Sequence, residues 1–275
     1  MSGQTYAARA AAPVSAAVRT RAGALWRADR QRVRGTWLWP LTVLGPLGVT
    51  LLGVILFLMR HDYMVKPFLE GKTSGFAVAT GELGMIHVFA IGLGAALLAS
   101  MIVDLEHRSD TWKAMFSLPI SRWRTYVVKF AWCAGLLAVS SALMSVGYGA
   151  LMVWQHLGPL PWRELATIGG LVWVAAMPLL AFQLLLSAGF TNQALPLTVG
   201  ILAPVFGMGM SRIPAWMPWR LMTQALVYST GGVVSGGPGV ALTWYTPAQI
   251  AAAAGIETVV LVALGALLLA RREIR

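Results

Sequence analysis

The chain is poor in charge and almost free of cysteine, and each shortage excludes a class of protein. Only 11% of its 275 residues are Asp, Glu, Lys or Arg, against about a quarter in soluble domains. So few charges could not cover a water-exposed fold, whereas a lipid-facing surface needs none. The one cysteine, Cys133, sits inside an apolar run, so a disulfide within the chain and a cysteine-built zinc site are both excluded. The four histidines, His61, His87, His107 and His156, fall in four separate segments without metal-ligand spacing. Glu70-Gly71-Lys72-Thr73 resembles the end of a phosphate-binding loop, but Lys66 stands where that loop needs its first glycine. Ser187-Ala188-Gly189 lacks the preceding glycine of a serine intramembrane protease motif. An intramembrane enzyme is therefore left without a nucleophile. Residues 1–36 are rich in Ala and Arg and lack the apolar core of a cleavable signal peptide. No repeat of 20–50 residues and no soluble domain can be read anywhere.

What is abundant is apolar length. Hydrophobic residues make up 57% of the chain, and the mean hydropathy is +0.70. Twelve Trp and six Tyr suit the two membrane–water interfaces. A span needs about 20 mostly apolar residues, and backbone groups in hydrocarbon must bond to one another, which forces helix. Six segments qualify: Trp37–Met59, Phe76–Val103, Tyr126–Trp154, Leu165–Gly189, Gln193–Met210 and Ala248–Ala270. The fifth is short and broken by Pro196 and Pro204, and Pro46 and Pro178 predict kinks in the first and fourth. The fold class is thus an all-α polytopic membrane protein with six transmembrane helices. Residues 1–36 form a basic N-terminal segment, 37–270 the membrane domain and 271–275 a tail.

The basic residues give a direction. Of 21 Lys and Arg, fifteen lie on one side: seven from Arg9 to Arg34, five from Arg108 to Lys129, and Arg271, Arg272 and Arg275. The other side holds six: Arg60, Lys66, Lys72, Arg163, Arg212 and Arg220. The excess places both termini in the cytoplasm. The formal net charge of +11 is therefore read as topology and anionic-lipid contact, not as nucleic-acid binding, for which no recognition motif is present. The outer stretch 211–247 carries Trp216, Trp219 and Trp244 with a Gly-rich run from Gly231 to Gly237. It reads either as short helices or re-entrant segments at the outer interface, or as a Gly-rich loop tip.

Three ionisable residues stand inside spans: Glu82, His87 and Glu257. Such groups cost about 2.5–3.5 kcal/mol at the bilayer centre and face the bundle interior or water. Glu257, roughly 13 Å into its helix at the α-helical rise, fits a transport pathway or a helix-to-helix hydrogen bond. Glu82 and His87 suit packing roles better, and being five residues apart they do not share a helix face.

The inner loop carries the most information. Ser109 or Asp110 can cap a short helix, Pro119 ends it, and Ser121 can cap the next. Trp112, Met115 and Phe116 then share one face, ringed by charge. This knob fits a groove on a partner or dips into lipid headgroups. On a helical wheel the segment Val18–Arg34 puts Val18, Ala22, Leu25, Trp26 and Val33 on one arc, Asp29 intruding, and Arg27, Arg30 and Arg34 opposite; it reads as an inner-surface helix or as a basic topology anchor without a partner.

The run Glu106-x5-Trp112-Lys113-x4-Leu118-Pro119-x-Ser121-Arg122-x3-Tyr126-x2-Lys129 resembles the first inner loop of type-2 ABC exporter permeases. It is most similar to the lantibiotic and bacitracin immunity permease branch. The resemblance extends in layout over most of the chain: six helices, both ends inside, an amphipathic segment ahead of the first, and small outer helices between the fifth and sixth. It implies that Asp110–Leu118 is a coupling helix docking on a separate ATPase, with Glu106, Asp110, Trp112, Lys113, Met115, Phe116, Pro119 and Arg122 at the contact. It also implies a second permease subunit, identical or related, and an amphipathic cargo such as a peptide antibiotic, a hydrophobic natural product or a lipid. No cofactor is expected on this chain, and ATP and Mg belong to the partner. The location implied is the bacterial cytoplasmic membrane. An ATP-independent transporter or channel using Glu257 and Glu82 is the alternative.

Overall fold

The computed structural model describes residues 27, 30, 33–108, 122–190, 192–209, 217–230 and 245–271. Beyond the helical residues 27, 30, 33 and 34, eight helices are delimited among the described residues, and no strand occurs among them: α1 (Leu38–Met59), α2 (His61–Leu69), α3 (Gly75–Arg108), α4 (Arg122–Trp154), α5 (Trp162–Gly189), α6 (Ala194–Gly209), α7 (Pro218–Ser229) and α8 (Pro247–Arg271). Helices α1, α3, α4, α5 and α8 are long and apolar enough to cross a membrane. The fifth segment expected from the sequence, α6, is apolar but has only 16 residues, a length of about 24 Å against a hydrocarbon core of about 30 Å. Pro46 and Pro178 lie inside α1 and α5 without ending either helix.

Helix α5 is the hub, packing on α3, α4, α7 and α8. Two thirds (67%) of its apolar window is buried, against 22% for α1 and α8, which stand at the periphery. Burial of apolar surface drives little association between helices in lipid, so close backbone approach and hydrogen bonds must hold the bundle together. Glycines supply the approach. A Cβ on Gly84 of α3 would lie 2.8 Å from Leu226 of α7, and one on Gly147 of α4 would lie 2.6 Å from Thr50 of α1.

Helices α3 and α4 are antiparallel neighbours with a register that can be followed along their length. His87 meets Ser141 and Tyr148, Gly94 faces Leu137, and the Cys133 thiol lies 3.6 Å from the Leu98 carbonyl. The same register brings the end of α3 at Arg108 level with the start of α4.

Helix α7 falls within the stretch read as outer. It does not lie flat on the bundle. Trp219 at its start meets the ring of Phe182, with centroids 6.4 Å apart, and Leu226 near its end abuts Gly84. Phe182 is twenty residues along α5 and Gly84 nine along α3. The helix therefore runs along the inside of the bundle, with Leu221, Met222, Ala225 and Leu226 buried.

Candidate functional site

Segment 109–121 and the buried polar side chains of the spans are the two places where function can reside. Asp110, Trp112, Lys113, Met115, Phe116 and Pro119 lie outside the described residues, as do Leu25 and Trp26. Their anchorage is described. Glu106 is in the last turn of α3 and Arg122 opens α4, two helices packed along their length, so segment 109–121 leaves and re-enters one rigid pair. Upstream, Arg27, Arg30 and Arg34 are helical and exposed. Val33 is buried, 2% exposed, and its carbonyl accepts the Thr36 hydroxyl at 2.7 Å. The exposed basic side chains and this buried valine flank a turn at Gly35–Thr36 that leads straight into α1.

Inside the bundle, His87 is fully buried at the centre of a hydrogen-bonded layer. Its Nδ1 is 2.8 Å from the Tyr148 hydroxyl and its Nε2 is 3.2 Å from Ser141 Oγ. Tyr148 also reaches the Leu83 carbonyl at 3.3 Å, and Ser141 reaches the Gly169 carbonyl at 2.9 Å. Counting protons for a neutral imidazole assigns the directions. Tyr148 has one proton and gives it to the nearer acceptor, Nδ1. Nε2–H then donates to Ser141, and Ser141 donates to Gly169. The chain links α3, α4 and α5. Read this way, it joins packed helices and offers no group to an aqueous path.

Glu82 lies on α3 five residues before His87, beside Gly84, the point where α7 approaches. Glu257 is ten residues along α8, partly buried. Its Oε2 is buried without a hydrogen-bond partner among the described residues. The structure thus brings Glu82 and His87 to α3 and leaves Glu257 on a peripheral helix.

The sequence reading passed over several buried polar residues. Gln183, fully buried in α5, donates Nε2 to the Pro196 carbonyl of α6. Gln193 closes the same hairpin, donating Nε2 to the carbonyls of Phe190 at 3.1 Å and Ser187 at 3.3 Å. Ser100 and Ser187 pair at 3.2 Å between α3 and α5. Arg220, counted above with the outer connections, is only 7% exposed in α7. A polar residue alone in an apolar run is the signal that could have flagged Gln183. Nothing in the sequence distinguished Arg220 from a loop arginine, because α7 is too short and polar to read as a bundle helix.

No group of His, Cys, Asp and Glu among the described residues could hold a metal ion. Residues 30–208 match the family model described as ABC-2 family transporter protein, about two thirds of the chain. The chain belongs to the ABC-2 transporter family. No curated protein matches it. The matched stretch runs from the basic entry at Arg30, through segment 109–121, into α6. Helices α7 and α8, with Arg220 and Glu257, lie beyond it. ABC-2 permeases are membrane transport components, generally not catalytic themselves, and the family implies an ATP-binding-cassette partner.

Proposed function

We propose that this ABC-2 permease is the membrane subunit of an ATP-driven exporter. Segment 109–121 is its docking element for a separate ATPase, which carries ATP and Mg. The observation that supports this best is the anchorage of that segment. Its ends belong to the packed pair α3 and α4, so force applied to Trp112, Met115 and Phe116 passes directly into helices knit by the His87 layer. In this reading α6 is the sixth membrane crossing, both termini are cytoplasmic, and a second permease subunit, identical or related, completes the transport path in a bacterial cytoplasmic membrane. The lantibiotic and bacitracin immunity branch is the nearest in inner-loop phrasing, which favours an amphipathic cargo: a peptide antibiotic, a hydrophobic natural product or a lipid. Glu106, Asp110, Lys113, Pro119 and Arg122 frame the docking knob. Arg27, Arg30 and Arg34 hold the entry segment to anionic lipid or to the ATPase.

The test is co-expression with candidate ATP-binding-cassette ATPases, purification through the permease, and measurement of retained ATPase. Trp112→Ala with Phe116→Ala should lose most of it, since buried aromatic anchors typically contribute 2 kcal/mol or more each. Equal retention by wild type and the double variant sinks the docking assignment.

A second reading, ATP-independent flux gated through Glu257 with Glu82, draws on the unpartnered Oε2 of Glu257. It requires flux in vesicles containing this chain alone, abolished by Glu257→Gln. Flux that appears only with an ATPase and ATP removes it.

A further inference from the structure

An open cleft of about 940 Å³ runs along α4 and α5 up to their connection, Gln155–Pro161. The volume lies at the upper end of ordinary ligand pockets, about 300–1,000 Å³. Its walls are small residues, among them Ala142 and Gly149 of α4 and Gly170 of α5, with Trp154, Trp162 and Trp173 as the bulky members. The one hydroxyl in the lining is that of Ser145, and it is spent on the Ser141 carbonyl at 3.2 Å. The other polar side-chain atoms of the lining are indole N–H groups, that of Trp173 spent on the Ala134 carbonyl at 2.9 Å, and no charged side chain is among them.

The shape suits an extended hydrocarbon chain. The lining runs from Ala138 to Trp154 along α4, roughly 24 Å at the helical rise. Spread over that length, 940 Å³ gives a mean section on the order of 40 Å². An acyl chain is narrower than that section, whereas a helix about 10–12 Å across would have to fill the whole cleft.

The mouth adds charge. Trp154 and Trp162 stand at the ends of α4 and α5, both exposed, where interfacial tryptophans belong. Arg163 is exposed beside them. It stands three residues before Ala166 and seven before Gly170, both of which line the cleft, so it shares their helix stripe. Its guanidinium makes no ion pair among the described residues. Glu164 points another 100° round the helix, away from the cleft.

We propose that the α4–α5 cleft is a binding site for an anionic phospholipid, with an acyl tail between the helices and the headgroup phosphate on Arg163. The leaflet is the one facing the Gln155–Pro161 connection. Only its naming as the outer leaflet rests on the orientation proposed above. The cleft floor at Ser145 and Gly169 is also the α4–α5 contact that carries the end of the His87 layer. An occupied cleft therefore presses on α4, one of the two helices that frame segment 109–121.

The test uses the full chain alone, purified in detergent, delipidated, and titrated with dioleoylphosphatidylglycerol or dioleoylphosphatidylcholine. Retained lipid is counted by native mass spectrometry. Ala142→Leu with Gly170→Leu fills the cleft. A Cβ on Gly170 meets nothing within 4 Å and Ala142 is exposed, so the fold is kept, which an unchanged melting temperature without added lipid verifies. Wild type should retain one phosphatidylglycerol per chain. The filled variant should lose roughly tenfold in affinity for both lipids. Arg163→Gln should lose roughly fivefold for phosphatidylglycerol, the contribution of one basic side chain at an anionic surface, and less for phosphatidylcholine, whose choline offsets the phosphate charge. Equal retention by wild type and the filled variant overturns the site. So does a change of oligomeric state on filling, which would make the cleft a contact between copies. Failure of this test leaves ATPase docking standing, since no ATPase is present in it.

Discussion

At the residue scale, the His87 layer shows how a lone polar residue in a span is resolved. The sequence put His87 in hydrocarbon and made a packing role the better reading. The structure surrounds it with Tyr148, Ser141 and the Gly169 carbonyl. Tyr148→Phe should destabilise the protein by about 0.6–1.7 kcal/mol, the range of interhelical hydrogen bonds in membranes. His87→Leu combined with Tyr148→Phe should cost less than the two singles added. Strictly additive costs in reversible unfolding would mean that the bond is not made. Ser141 and Tyr148 could not be paired with His87 from sequence, because the contact joins residues more than fifty positions apart and depends on the register of α3 against α4. Arg220 is the sharpest departure at this scale. Counted as a topology charge, it is instead buried in α7, where its cost must be met by packing partners.

At the element scale, the long helices were legible because hydrocarbon leaves the backbone no alternative to helix. Expectation and structure differ at the ends by a few residues, as where Phe76–Val103 becomes Gly75–Arg108. The extra length is polar sequence that packing keeps helical beyond the apolar run. Which faces of these helices meet was not legible, and glycines decide it. A Cβ on Gly169 would run into Ser145 of α4, and one on Gly200 would lie 2.8 Å from the Gln183 amide. Gly169→Val should therefore separate α4 from α5, and Gly200→Val, whose Cβ also meets Ala96 of α3, should separate α6 from α3 and α5, each lowering stability by about 1–3 kcal/mol, the usual cost of overpacking. Gly135→Ala, where an added Cβ meets nothing within 4 Å, should be neutral or stabilising, since alanine favours helix. Melting temperatures that fall alike for all three would remove close packing as the cause. Short helices were one reading of 211–247, but the enclosure of α7 was not legible, because its amphipathic sequence fits a surface helix as well as one enclosed by a bundle.

At the scale of the whole molecule, the positive charges predict a direction that accessibility can test. Cys133 is buried, and replacing it with serine gives a background for single cysteines. Lys72→Cys and Gly237→Cys should react with an impermeant maleimide in intact cells. Asn192→Cys and Arg275→Cys should react only after permeabilisation. Labelling at Asn192 and Gly237 from the same side would show that α6 does not cross, leaving five spans and reversing α8. This experiment bears on the short helix directly, since 16 residues span only with local thinning or with the help of its neighbours.

By itself the sequence determined the solvent. Low charge and long apolar runs require a bilayer, and a bilayer requires helices. The distribution of arginine and lysine then proposes their direction, and the phrase from Glu106 to Lys129 pointed to the family that the match over residues 30–208 establishes. Only the tertiary structure decided that α5 is the hub, that α7 is enclosed, that His87 joins three helices and that a cleft runs along α4 and α5. Solvent preference and local propensity are properties of consecutive residues and can be read one segment at a time. Contacts between helices depend on rotation and register about their axes. In lipid, where apolar faces gain little by meeting one another, those are set by where small residues allow approach and where buried polar groups find partners.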